Sequence, residues 1–131
     1  MSPVAGFVLA VAFTLVLLGM AVWAGRTGRV RRHVSLVGGA LAGLGVTIWL
    51  ALELGRIYDL DSAGAITPIH LTLAKITTAA YVLPILTGLR TLFRPAMRPW
   101  HKRVAYLVLA MTVLSAITGT IMILRAQPLV P

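Results

Sequence analysis

Four stretches of this chain are almost wholly apolar, and three short polar segments separate them. A bilayer core of about 30 Å takes about 20 consecutive apolar residues in a helix. The runs at 4–24, 34–54, 68–89 and 104–124 each meet that length, and the first, VAGFVLAVAFTLVLLGMAVWA, carries no charge. They predict four membrane-crossing helices. The first run lacks the basic leader of a signal peptide and is long for its apolar segment, so it is expected to stay in the protein. Short connections between successive spans place neighbours antiparallel. The predicted fold class is therefore all-α: a polytopic membrane protein, an antiparallel four-transmembrane-helix bundle, in a single membrane domain over 1–131.

Composition narrows the alternatives. Of 131 residues, 59% are hydrophobic and 11% charged, where soluble domains carry about 25% charged residues. A soluble fold this small has no interior large enough for so much apolar surface. The net charge of +9 would suggest nucleic acid in a soluble protein. Here the charges flank apolar runs, so the expected partners are membrane lipids and other membrane proteins, with no nucleic acid. There is no cysteine, which excludes disulfides and thiolate ligands.

Basic residues fix the expected orientation. Arg26, Arg29, Arg31 and Arg32 lie at the first connection, and Arg90, Arg94, Arg98, Lys102 and Arg103 at the third. The second connection and the tail hold only Arg56 and Arg125. Nine against two places the first and third connections in the cytoplasm and both termini outside, in a bacterial inner membrane. Trp23 and Trp100 suit the aromatic belt on the cytoplasmic side.

Close helix packing in lipid relies on small residues. Span 2 carries Ser35, Gly39, Gly43 and Thr47 at four-residue steps, with Gly39 and Gly43 forming a GxxxG, and span 4 carries Ser115 and Gly119. In span 3, Thr67 reads as an N-cap and Pro68 as the first helical residue. Pro84 removes the backbone bond to the Ala80 carbonyl and should kink the helix. A faint repeat runs through the chain: His33 and His101 each follow a basic connection and each open an outward-running helix.

Ionisable groups within membrane spans are costly and point to function. Five stand out: His33, Glu53, His70, Lys75 and His101. At about 100° per residue, His101 shares a stripe with Ala105, Val108, Thr112, Ser115 and Gly119, and His70 shares one with Ala74, Thr77, Tyr81 and Gly88. Both should look inward. His33 lies well over 100° from Ser35 and Gly39, so it should point away from the packed face. Glu53 and Lys75 both fall in the outer half of their spans, either as an intramembrane charge pair or snorkelling separately to the interface.

Imidazole is a common ligand of metals and of haem iron. His33, His70 and His101 are therefore the candidate cofactor-binding residues, with His70 and His101 also candidate metal ligands, for haem or a metal ion. His33 and His101 belong to the inner leaflet and His70 to the outer, about a hydrocarbon thickness away, so one haem suits His33 with His101 but not His70 with His101. Alternatively each histidine simply occupies the interface. No pattern supports hydrolytic or nucleotide chemistry: there is no phosphate-binding loop with lysine, no H-E-x-x-H and no nucleophile–base pair.

Three segments carry a resemblance: GRVRRH before span 2, HLTLAKITTAAYVLPILTGLRTL over span 3, and HKRVAYLVLAMTVLSAITGTIMIL over span 4. They resemble the CtaM-like family, small four-helix bacterial membrane proteins with a domain of unknown function linked to haem-copper oxidase maturation. The matching positions are Gly28, Arg29 and His33; His70, Ala74 and Pro84; and His101, Lys102, Arg103, Ala105, Thr118 and Gly119, across residues 25–125. Where some members have a proline and a tryptophan before the Thr-Gly, this chain reads MTVLSAITG, and Val34 follows His33 where the family often has arginine. The resemblance implies an integral membrane accessory protein for assembly or maturation of a respiratory haem-copper oxidase, handling haem or copper, with other respiratory-complex subunits or assembly factors as partners. Two alternatives remain open: a membrane cytochrome b-type electron-transfer protein with haem between His33 and His101, and a ligand-free structural subunit of a larger membrane complex.

Overall fold

Ser2 starts the first helix, its Oγ accepting the Ala5 N–H at 3.2 Å with Pro3 at the first helical position. In the computed structural model, which describes residues 2–129, this helix, α1, runs Pro3–Arg26. It is followed by α2 (Val30–Ile57), α3 (Ile66–Ala80), α4 (Val82–Phe93) and α5 (Arg98–Arg125). Two-residue strands β1 (Tyr58–Asp59) and β2 (Gln127–Pro128) and two short 3-10 turns complete the described chain. The fold is all-α. Four helices are long and apolar enough to cross a membrane, the third made of α3 and α4 together. They overrun the apolar runs because the charged flanks continue the helix: α2 and α5 begin at Val30 and Arg98, so His33 and His101 are each the fourth residue of their helix.

The chain divides into two compact units, Met1–Ser62 with Arg125–Pro131, and Ala63–Leu124. In the first, α1 and α2 form a hairpin whose connection is three residues long. Gly28, at φ +73°, lets the chain reverse there. The Arg29 N–H reaches the Ala24 carbonyl at 2.9 Å and the Gly28 N–H reaches that of Gly25 at 3.4 Å, the Schellman closure that glycine permits. The Arg29 guanidinium lies 4.9 Å from the centre of the Trp23 ring. Buried Phe7, Thr14 and Ala21 recur every seven residues along α1, the spacing of a shallow antiparallel crossing. The Thr14 and Thr47 hydroxyl oxygens come within 3.5 Å across the hairpin. After α2, β1 pairs antiparallel with β2, and the Gln127 N–H donates to Ser62 Oγ at 2.8 Å.

The second unit is a broken helix lying antiparallel to α5. The break falls at Tyr81, three residues before Pro84, where a proline with no N–H releases the Ala80 carbonyl. The Tyr81 N–H reaches the Thr78 carbonyl at 3.3 Å, in tightened geometry. Its phenol spans the hairpin to Thr112 Oγ1 at 2.8 Å. Thr112 already donates to the Val108 carbonyl at 2.8 Å, so the phenol is the donor. Tyr81→Phe is expected to lower stability by about 0.6 kcal/mol, and by no more than about 1.7, the range of interhelical hydrogen bonds in membrane proteins. Unfolding in mixed micelles checks this; a loss of several kcal/mol would mean that the ring's packing, not its hydroxyl, holds the break.

Thr67 is not the cap of α3. The helix starts one residue earlier, at Ile66, because Gly64 at φ +76° turns the chain and its carbonyl accepts the Thr67 N–H at 3.1 Å.

Candidate functional site: three histidines in glycine notches

Each histidine is seated against a glycine of the antiparallel helix, and each uses Nδ1 to bond an oxygen there. His33, on α2, places Nδ1 2.8 Å from the Ala21 carbonyl. A carbonyl only accepts, so Nδ1 carries the proton. A Cβ added to Gly25 would meet the same Nδ1 at 3.1 Å. His33 therefore faces α1, contrary to the expectation that it points away. The reason is that the α1-facing side of α2 is not centred on Ser35 and Gly39. It runs through His33, Gly43 and Thr47, which lie within about 80° of His33 on the helical wheel, while Ser35 is exposed. Of the GxxxG pair, Gly43 makes the close approach: a Cβ there would stand 2.7 Å from Thr14 Oγ1, against 3.6 Å to Leu17 for Gly39.

In the second unit, His101 places Nδ1 3.2 Å from Thr87 Oγ1, and its ring lies 3.2 Å from where a Cβ on Gly88 would be. His70 repeats the arrangement from the other strand of the hairpin, with Nδ1 3.1 Å from Thr118 Oγ1 and its ring 2.7 Å from the Cβ position of buried Gly119. Thr87 donates its hydroxyl hydrogen to the Leu83 carbonyl at 2.8 Å, and Thr118 donates to Leu114 at 2.9 Å. Both hydroxyls are thereby left as acceptors, so the imidazoles donate. In all three rings Nδ1 is the nitrogen that bonds across the hairpin.

The receptor for His70 and His101 is thus the same dipeptide, Thr-Gly, at 87–88 and 118–119. The hydroxyl holds the ring and the glycine makes room for it. Sequence reading placed both histidines on inward stripes, and both do face a neighbouring helix. It missed Thr87, whose signal was that repeated dipeptide. Thr118 and His101 are seventeen residues apart on α5, about 26 Å along the axis. The two sites therefore sit at opposite ends of the hairpin and do not share one ion. Among the described residues no group of three or more His, Asp or Glu gathers to hold a metal ion.

The carboxylate of Glu53 accepts from Arg56 Nη1 at 2.9 Å, one turn along its own helix and exposed. Its partner is Arg56: two side chains three apart on one helix meet without any other element. Lys75 is exposed on α3.

No protein-family model matches this chain, and no curated protein or solved structure matches it.

Proposed function

We propose that this protein is an integral membrane accessory protein in the assembly of a respiratory haem-copper oxidase, and that it handles haem through His33, His70 and His101. The observation that carries this reading is the shared use of Nδ1 to fix each ring against the opposite helix. A ligating histidine donates one ring N–H to an oxygen, which fixes the ring and raises the basicity of the other nitrogen. All three histidines make that bond through Nδ1. The resemblance of residues 25–125 to the CtaM-like family supports the same reading.

The donor set favours haem over a bare copper ion. Haem iron already has its macrocycle and takes one imidazole as axial ligand, which one histidine per site supplies. A protein copper site gathers several soft or imidazole donors; there is no cysteine here, and the described residues form no such cluster. When bound, haem would be held by His33, His70 or His101 and would supply a redox-active iron. The chain itself contributes a ring held at Nδ1 and a glycine that lets it lie flat against the opposite helix. The family resemblance supports a bacterial inner-membrane location, and the distribution of basic residues supports α1–α2 and α4–α5 connections in the cytoplasm.

The deciding experiment is an optical spectrum with elemental analysis of the detergent-purified protein, beside oxidase maturation in cells. Haem absorbance is expected, with its loss and a maturation defect in the His33→Ala/His70→Ala/His101→Ala variant. A protein that carries neither haem nor metal, and whose triple variant matures oxidase normally, overturns the proposal. That result would favour a ligand-free structural subunit, a reading supported by the seating of every ring inside its own hairpin.

A further inference from the structure

Lys75 is a cation at membrane depth that makes no ion pair among the described residues. The α3–α4 span is 28 residues long, about 42 Å, and Lys75 stands nine residues after Ile66, about 14 Å along it. Centred on a hydrocarbon core of about 30 Å, its Cα lies about 8 Å inside the apolar layer. No hydrogen bond or ion pair involves it among the described residues, and it is exposed. The chain has only three acidic residues. Glu53 holds Arg56, Asp59 accepts the Asp61 N–H at 3.1 Å, and both aspartates belong to the β1 and 3-10 segment after α2.

The surface around Lys75 is apolar and shallow. His70 and Tyr81 face α5, and Lys75 lies about 140° and about 120° from them on the wheel. Beside it runs a shallow groove lined by Pro68, Ile69, Thr72, Leu73 and Ile76. Ile69 and Ile76 are more than half exposed. Short Thr72, one turn before Lys75, leaves the groove open towards the ammonium. An apolar groove flanked by an uncompensated charge inside the membrane selects a ligand that is apolar along its length and acidic at one point.

We propose that this face docks a transmembrane helix of a partner protein that carries a carboxylate at the depth of Lys75. In the free protein the lysine stem leans back towards the helix N-terminus and the outer interface. On docking, the ammonium turns to the carboxylate in a site the partner helix closes to water, and each ion offsets the other's desolvation. This inference is independent of haem handling.

The test reconstitutes the full-length protein in phosphatidylcholine vesicles with a labelled leucine–alanine single-span helix. That helix carries a glutamate about one third of the way in from each end, and an otherwise identical helix carries glutamine. Energy transfer between labels reports association. The glutamate helix is expected to associate about tenfold or more tightly than the glutamine helix, the scale of a charged hydrogen bond. Lys75→Met is expected to remove the difference, and Lys75→Glu to transfer the preference to a lysine-bearing helix. Equal association of both helices with the unchanged protein overturns the proposal and leaves Lys75 as a headgroup anchor. A preference that survives Lys75→Met overturns it as well, since the carboxylate would then be read elsewhere.

Discussion

Gly119→Ala is expected to drive His70 out of its seat and to destabilise the protein by about 1–3 kcal/mol, the usual cost of overpacking. The added methyl would stand 2.7 Å from Cε1, 3.1 Å from Nε2 and 3.2 Å from Nδ1 of His70. Three atoms of a rigid ring meet it at once, so no rotation of a flexible tip relieves the contact. Nor does the ring tilt freely, because Nδ1 is tied to Thr118 on the adjacent residue. Leaving the notch breaks that bond and frees a polar ring in an apolar setting. The measurement is the unfolding free energy in mixed micelles, for Gly119→Ala, His70→Ala and the double variant. The double should be more stable than the sum of the singles, since removing the ring removes the clash. Strict additivity, or an unchanged free energy in Gly119→Ala, would show that the ring does not occupy the notch.

The second large effect is expected at Gly43. An alanine there would bring Cβ to 2.7 Å from Thr14 Oγ1, with the Thr14 Cα only 3.8 Å away. The hydroxyl is committed to the Ala10 carbonyl at 2.8 Å, and the nearby backbone means that the helices themselves must separate. A loss of about 1–3 kcal/mol follows, reduced a little by the higher helix propensity of alanine. Thr14→Ala in the same chain should recover most of it. Gly39→Ala is the internal control: its nearest neighbour would be Leu17 Cδ1 at 3.6 Å, an ordinary contact, so stability should hold or rise slightly. Equal damage at Gly39 and Gly43 would restore the symmetrical GxxxG interface and discard the present one.

The contrast between these glycines shows where sequence reading stops. Hydropathy alone located all four spans, since lipid imposes a length and an absence of charge on each helix independently of its neighbours. The inward stripes of His70 and His101 were legible because buried Thr112 and Gly119, and buried Thr77, recur at helical spacing. The break near Pro84 was legible because proline's missing N–H acts locally. The face of α2 was not. Ser35, Gly39 and Gly43 look alike in sequence, and which of them meets α1 depends on how the three-residue turn at Gly28 sets the azimuth of the second helix. The partner of Glu53 was missed for a related reason: Arg56, three residues on, was counted with the connection rather than as the next turn of a helix that continues to Ile57. Thr87 was missed because a threonine in an apolar span reads as filler until a donor is found across from it.

The interruption at Tyr81 sorts the second unit into two mechanical parts. His70 and its grip on Thr118 lie above the joint, while Thr87 and Gly88, which cradle His101, ride on the short arm below it. Swinging that arm would alter the lower imidazole's surroundings and leave the upper one undisturbed. The phenol that bridges to Thr112 acts as the latch on this elbow, so one hydroxyl group sets how independently the two ends of the hairpin move.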